Sequence, residues 1–203
     1  MINNCTKIEK KILDVGCGTG DFLKAAQNNG WVVIGIEPNQ EARSIANSKT
    51  NNAVFDIDHL SKINDHFDVI TLWHVLEHLP DLKTQIENLK RLLNPNGTLI
   101  IAVPNFKSYD AKFYKSNWAA YDVPRHLWHF SKKSISKLFQ NNGLKVIKHK
   151  PMLFDSFYVS LLSEKYKSGK MNPFRALWVG LYSNILGFIK KEYSSHIYIL
   201  KSS

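Results

Sequence analysis

The residues of this chain that could do chemistry fall into two groups. The first is a glycine-dense loop with acids around it. An apolar run, Lys11 to Val15, enters Gly16-Cys17-Gly18-Thr19-Gly20, and a helix-like pattern follows from Asp21. Glycine has no Cβ and tolerates positive φ, so backbone there can approach a ligand closely. The first turn of the following helix offers free N–H groups. Glu37 stands at the end of the next apolar run, 21 residues after Gly16. That is about the distance at which an acid reads a ribose hydroxyl in nucleotide-binding β-α-β units. Asp14 and Asp21 bracket the loop, where two carboxylates would repel a pyrophosphate and suit a cationic ligand end. The second group is a set of histidines. His74 and His78 flank Glu77, and His126 and His129 follow Asp122 and Arg125. Histidine titrates near neutral pH and suits general-base work.

The glycine pattern is G-x-G-x-G, not the G-x-G-x-x-G of dinucleotide folds. S-adenosylmethionine has an α-ammonium, a sulfonium and no phosphate, which suits that loop and its acids. Ile12-Leu13-Asp14-Val15-Gly16-Cys17-Gly18-Thr19-Gly20 closely resembles the first motif of the class I S-adenosylmethionine-dependent methyltransferases. The resemblance extends over about residues 11–150 and the final strand. It implies that Asp14, Gly16, Cys17, Gly18 and Gly20 surround the cofactor. Glu37 and Pro38 would meet the ribose, Asp56 the adenine amino group, and Ile57 the adenine ring. Trp73 and His74 would lie beside the cofactor at the end of strand four. Phe67-Asp68-Val69-Ile70, Leu76-Glu77-His78-Leu79-Pro80 and Leu92-Leu93-Asn94-Pro95-Asn96-Gly97-Thr98-Leu99 match further blocks in order. Trp118 and the stretch Tyr121 to Ser131 look like the type 11/type 23 branch, which acts largely on small molecules and cell-envelope or natural-product intermediates.

Methyl transfer to an oxygen also needs a proton removed. His126 or His129 is the expected base, with Asp122 orienting it. His59, His66, His149 and His196 read as surface or satisfied structural residues. The spacing His74-x-x-Glu77-His78 is similar to the Glu-x-x-Glu-His of small-RNA 2′-O-methyltransferases, which hold Mg²⁺ there, and of ubiquinone-pathway O-methyltransferases. Imidazole in the first position moves such a site away from Mg²⁺, which prefers oxygen ligands, and toward Zn or Fe. The expectation is that no metal is held and that Glu77 and His78 brace the turn at Pro80.

These residues need a scaffold, and the apolar pattern supplies one. Strands are expected at Lys11–Val15, Trp31–Ile36 (buried on both faces), Ala53–Phe55, Phe67–Leu72, Thr98–Val103, Leu144–His149 and Ser195–Leu200. Helices are expected over about Gly20–Asn29, after Pro38-Asn39 with Ala42, Ile45 and Ala46 on one face, over Asp81–Leu93, and after Ser131. Asn94-Pro95-Asn96-Gly97 reads as a turn, and Pro104 to Phe130 as an irregular aromatic segment. Residues 152–191 read as two helices joined around Ser168–Pro173. The alternation predicts an α/β, doubly wound, mainly parallel seven-stranded sheet of Rossmann-like type, with a helical cap before an antiparallel last strand. Residues 1–203 form one domain, with a cofactor half at 11–103 and a substrate half at 104–203.

Composition sets the remaining bounds. An apolar content of 44% supports an ordinary core. Two cysteines, Cys5 and Cys17, give no disulfide framework and suggest a reducing, cytoplasmic setting. Met1 to Lys10 has no apolar signal-peptide core. Net charge is +10, and residues 104–203 hold 17 Lys/Arg against 5 Asp/Glu. A basic half suggests an anionic partner such as an acidic membrane surface. Phe174–Ile189, flanked by lysines, reads as a lid or dimer helix, or else as an interfacial helix that would place the protein peripherally at the membrane. The expected acceptor is an oxygen of a small or lipid-linked molecule. RNA 2′-O-methylation is the alternative. A non-catalytic cofactor-binding subunit is a third reading, because only ten residues precede the first strand where the family usually has a helix.

Overall fold

The computed structural model describes residues 2–4 and 10–202; Cys5 and most of the N-terminal segment lie outside that range. Seven strands form one sheet: β1 (Lys11–Val15), β2 (Val32–Ile36), β3 (Val54–Phe55), β4 (Phe67–Trp73), β5 (Leu93–Pro104), β6 (Leu144–Pro151) and β7 (Ser195–Ser202). Their order is β3-β2-β1-β4-β5-β7-β6, with β7 antiparallel to both neighbours and the pairs from β3 through β5 parallel. Among the described residues seven α-helices accompany them: α1 (Asp21–Asn28), α2 (Gln40–Thr50), α3 (Leu82–Leu92), α4 (Tyr109–Tyr114), α5 (Lys132–Gln140), α6 (Asp155–Ser168) and α7 (Pro173–Lys190).

Strand alternation divides the core. Ile12, Val69 and Ile100 join Leu23 of α1 and Ala46 of α2 on one face. Leu13, Ile70 and Leu99 join Ile86 and Leu89 of α3 and Ile135 and Phe139 of α5 on the other. Successive side chains on a strand point to opposite faces, so apolar runs are required where both faces carry helices. A third cluster, with Tyr114, Trp118, Val159 and Val179, lies within α4, α6, α7 and the turns between them. This is the cap.

Several expectations need correction. Val32 is 59% exposed, so β2 is not buried throughout. The short β3 pairs only with Gly35 and Ile36 and leaves the start of β2 at the rim. Ile45 is exposed, and only Ala46 and Thr50 of α2 are buried. The turn at Asn94–Gly97 does not separate helix from strand; it lies inside β5, which already begins at Leu93. Phe67 pairs with Leu93 and Val69 with Thr98, so the extra residues bulge from within β5. The aromatic segment is not irregular: it contains α4, and short 3-10 turns follow at Lys115–Asn117 and Ala119–Tyr121. Ser108 caps α4, and Ser131 and Ser134 form a reciprocal capping box at α5.

Candidate active site

The glycine loop joins β1 to α1 at the C-terminal edge of the sheet. Gly16, Gly18 and Gly20 all have positive φ. Gly16 packs against Val75, in the turn after β4. A Cβ on Gly20 would meet Ala46 Cβ at 2.8 Å and its Cα at 2.9 Å. Much of the loop's donor capacity is already committed. Gly16 N and Cys17 N donate to Ile36 O at 2.7 and 3.1 Å, Gly20 N donates to Cys17 O, and Gly18 N donates to Glu37 Oε2 at 2.9 Å. A phosphate nest needs such N–H groups free; here they are not. The loop therefore suits a ligand without phosphate.

The acids around it are placed by their strands. Asp14 is buried and accepts from Thr71 Oγ1 of β4 at 2.6 Å. Burial pushes its pKa up to about 7, against the Thr71 hydrogen bond and with help from Glu37. A cationic ligand group beside it would restore the ionised form. Glu37 Oε1 accepts from Asn39 N at 2.9 Å, and each of its oxygens keeps a lone pair for a hydroxyl donor. Asp56 pairs with Arg43 at 3.0 Å, and Arg43 also donates to Glu37 O and Pro38 O. Arg43 thus ties together the two acid-bearing turns, a role its place on a helix did not reveal. Ile57 stays exposed beside Asp56, as apolar surface for a flat ring. Trp73 packs edge-on against Phe22, and its Nε1–H is buried without a partner among the described residues. Cys17 is buried, and burial first, then Asp14 and Glu37, raises its thiol pKa to about 12. It is inert filler. These features fit S-adenosylmethionine.

A cavity of about 300 Å³ opens next to this edge. His74 and Glu77 from the turn after β4, Asp122 and His126 from the loop before α5, and Tyr158, Leu162 and Tyr166 of α6 line it. Glu77 is buried, and neither carboxylate oxygen has a hydrogen-bond partner among the described residues. The brace expected of it comes instead from its backbone. Glu77 O accepts from Leu127 N at 2.8 Å, while His78 Nδ1 meets Arg125 O at 3.0 Å and Trp128 Nε1 donates to Leu79 O. Two loops far apart in sequence are zipped together by these bonds.

The histidines now separate. His126 Nδ1 lies 2.8 Å from Ala120 O. A carbonyl can only accept, so Nδ1 carries the proton and Nε2 is left as a base. Burial lowers the pKa of His126, which favours the neutral ring. Asp122 does not orient that ring through Nδ1. It lies 3.8 Å from Nε2 and pairs with Arg125 at 2.7 Å. His129 is exposed and bonds Tyr121 O through Nε2 at 3.0 Å; it does not line the cavity. His196 is neither surface nor satisfied. It is fully buried on β7 without a partner for either nitrogen among the described residues, and burial pushes its pKa down to about 3.

His74 bridges Glu77 at 3.4 Å and Asp155 at 3.1 Å. Burial alone would lower its pKa, but the two carboxylates outweigh it and raise the value to about 9. Because the folded pKa exceeds the ordinary 6.5, this contribution is whole below pH 6.5 and is lost as pH rises through 9. The ring keeps 35% of its surface open, so screening trims the effect to about 1 kcal/mol. Urea unfolding from pH 6 to pH 10 should show this loss in the native chain and lack it in His74→Gln.

Among the described residues, Glu77, His78 and His126 also present ligand atoms within 4.8 Å of one another. His74, first in the sequence motif, is drawn to Asp155 instead.

Comparison with known proteins agrees with this fold and with the cofactor. The family model Methyltransf_23, a methyltransferase domain, matches residues 5–149. The chain belongs to this family of S-adenosylmethionine-dependent methyltransferases. It is 34% identical over 109 residues to a ubiquinone biosynthesis O-methyltransferase of Coxiella burnetii, covering 49% of this chain and 47% of that protein. The enzyme of the same name from Vibrio atlanticus is 34% identical over 110 residues, covering 49% and 46%. The chain therefore spans about half the length of the curated relatives it matches. The magnesium protoporphyrin IX methyltransferase of Synechocystis, solved with bound S-adenosylhomocysteine, aligns with a TM-score of 0.63 at 16% identity over 99% of this chain and 77% of that one. A methyltransferase from Archaeoglobus fulgidus gives 0.64 at 16% identity, over 98% and 89%. These structures share the methyltransferase's fold.

One prediction tests the cofactor loop directly. Gly20→Ala strains a positive-φ position by roughly 1–3 kcal/mol and drives Cβ into the Ala46 backbone. Calorimetric titration with S-adenosylhomocysteine should show about 10-fold weaker binding or worse.

Proposed function

We propose that this chain transfers a methyl group from S-adenosylmethionine to an oxygen of a small or lipid-linked acceptor seated in the cavity beside His126. The observation that carries the reading is the fixed tautomer of His126, with Nδ1 bonded to Ala120 O and Nε2 left as a base on the cavity wall. S-adenosylmethionine, when bound, supplies an electrophilic methyl on a sulfonium that leaves without charge. The chain's own residues do the rest. Tyr158, Leu162 and Tyr166 offer apolar walls that exclude water. The acceptor hydroxyl gives its proton to His126 Nε2 as its oxygen takes the methyl, and the imidazolium is stabilised by the carboxylates of Glu77 and Asp122. His129 holds the loop through Tyr121 O. The ubiquinone-pathway names of the relatives support an oxygen acceptor.

The buried carboxylate of Glu77, which has the His74 ring at 3.4 Å but no hydrogen bond among the described residues, favours a second reading of the same site. With His78 and His126 it could hold a divalent ion, which would polarise the acceptor oxygen. Dialysis against a chelator followed by metal analysis and Co²⁺ absorption spectra separates the two. Activity that survives chelation supports the imidazole base alone. For the main reading, label from methyl-tritiated S-adenosylmethionine is followed into a panel of small phenols and alcohols and into short RNA. Methyl ethers of the small hydroxyl compounds support it. Label confined to RNA, or no binding of S-adenosylhomocysteine, overturns it.

A further inference from the structure

Helix α7 is built inside out. Its buried face is made of small or short residues: Ala176, Val179, Gly180, Ser183 and Gly187. They allow close packing, and a Cβ on Gly180 would strike Phe157 at 2.6 Å, while one on Gly187 would strike Tyr193 at 2.6 Å. The large apolar residues point the other way. Phe174, Leu177, Trp178, Leu181, Tyr182, Ile185, Phe188 and Ile189 are all exposed. They recur at the three- and four-residue steps of one helical face. Trp178 is 71% exposed, Phe188 68% and Phe174 84%. A contiguous apolar stripe of this length marks an interaction surface.

Charge says what kind. The eighteen residues of α7 include no Asp or Glu. Lys165, Lys167 and Lys170 precede the stripe and Lys190 and Lys191 follow it, all exposed. None of these five lysines has a carboxylate within 4.0 Å among the described residues. Arg175 is committed to Glu164 at 2.6 Å. Two copies packed through this face would bring lysines together with no acid on the helix to offset them. An anionic bilayer meets both requirements: its acyl region takes the stripe, and its headgroups take the lysines. Tyr109, Trp178 and Tyr182 border a groove beside Arg175, and Trp and Tyr rings favour the headgroup level. No helix among the described residues is long and apolar enough to cross a membrane. The helix would lie on the surface, not span it.

We infer that the outer face of α7 docks on a membrane surface rich in anionic phospholipid. The inference does not depend on the identity of the methyl acceptor. It is tested by co-sedimentation of the full chain with phosphatidylglycerol vesicles and with phosphatidylcholine vesicles, beside sedimentation velocity without lipid. Native protein should be retained at least about 10-fold more on the anionic vesicles at low salt, and half a molar salt, on the order of a 4 Å screening length, should release much of it. Its tryptophan emission should shift to the blue on binding. The double variant Trp178→Glu, Phe188→Glu should lose retention while still binding S-adenosylhomocysteine, which shows that it is folded. Lys165→Glu with Lys190→Glu, which leaves the apolar stripe intact, should weaken retention in the same direction. No retention of the native chain on phosphatidylglycerol overturns the inference, as does equal retention of the Trp178/Phe188 variant. A native dimer that this variant splits into monomers, with no vesicle binding, gives the face to a second copy and also overturns it.

Discussion

Replacing His126 by Ala should lower kcat by about 10²–10⁴-fold, the usual worth of a positioned general base. Binding of S-adenosylhomocysteine should hold, because the ring touches Ala120 O and the cavity rather than the glycine loop. The pH profile carries the sharper test. Burial lowers the pKa of His126 below 6.5, and the base form is the deprotonated one. In the native enzyme, kcat should therefore rise with pH through a value under 6.5 and then level off. In His126→Ala that acidic limb should vanish along with most of the rate. His129→Ala is the control. Its imidazole is exposed and spends Nε2 on Tyr121 O, so its loss should change kcat by only a few-fold, on the scale of a loosened loop. Full activity in His126→Ala would remove the base from this residue, and an equal collapse in His129→Ala would show that the loop rather than the proton acceptor had been disturbed.

The sequence and the structure meet most closely where chemistry is local. Gly16, Gly18 and Gly20 announce positive φ by type, and Glu37 and Asp56 stand at strand ends that apolar periodicity alone can place. Ser131 announces its helix in the same way, by residue type and spacing. What could not be read depends on partners distant along the chain. Glu77 and His78 look like braces for the turn at Pro80, yet the bracing atoms are the Glu77 carbonyl and a ring nitrogen bonded to Arg125 O, 47 residues away. The carboxylate of Glu77 is left facing a cavity. Asp122, four residues before His126, has the spacing of an orienting acid, but only folding shows that Arg125 takes it and that Ala120 O takes Nδ1. The sequence leaves α7 open between a packed lid or dimer helix and an interfacial one for a related reason. An apolar helix in a sequence suggests burial, and the direction its large residues face is decided by which side can approach Phe157 and Tyr193.

Asp110 is the strongest instance of a distant partnership. In the sequence it falls within what reads as an irregular aromatic segment, with nothing to mark it out. In the structure it is fully buried and holds the cap together. Its Oδ1 accepts from Ser183 Oγ of α7 at 2.6 Å, and its Oδ2 accepts from Trp118 Nε1 at 2.7 Å and from Ser194 Oγ, just before β7, at 2.7 Å. The donors come from three segments, and the Ser194 partner is 84 residues away. Asp110→Ala would leave these buried donors without an acceptor. At roughly 1–3 kcal/mol for each orphaned group, partly relieved by water, the loss should be about 3–5 kcal/mol. Urea unfolding followed by two probes distinguishes a local effect from a global one. With Trp31, Trp73 and Trp128 replaced by Phe, the two remaining tryptophans, Trp118 and Trp178, both lie in the cap, so fluorescence reports there, while far-ultraviolet circular dichroism reports the whole sheet and its helices. In this background the two transitions should coincide. In Asp110→Ala fluorescence should change at lower urea than circular dichroism, because the carboxylate fastens the cap to β7 while the glycine-loop half keeps its own core. Asp110→Asn should fall between them. Its carbonyl keeps one acceptor, but its NH₂ group faces hydroxyl and indole donors, of which only the hydroxyls can rotate to accept. If Asp110→Ala instead unfolds in one coincident step, the cap and the sheet are a single cooperative unit, and the cavity between them is formed only when both are folded.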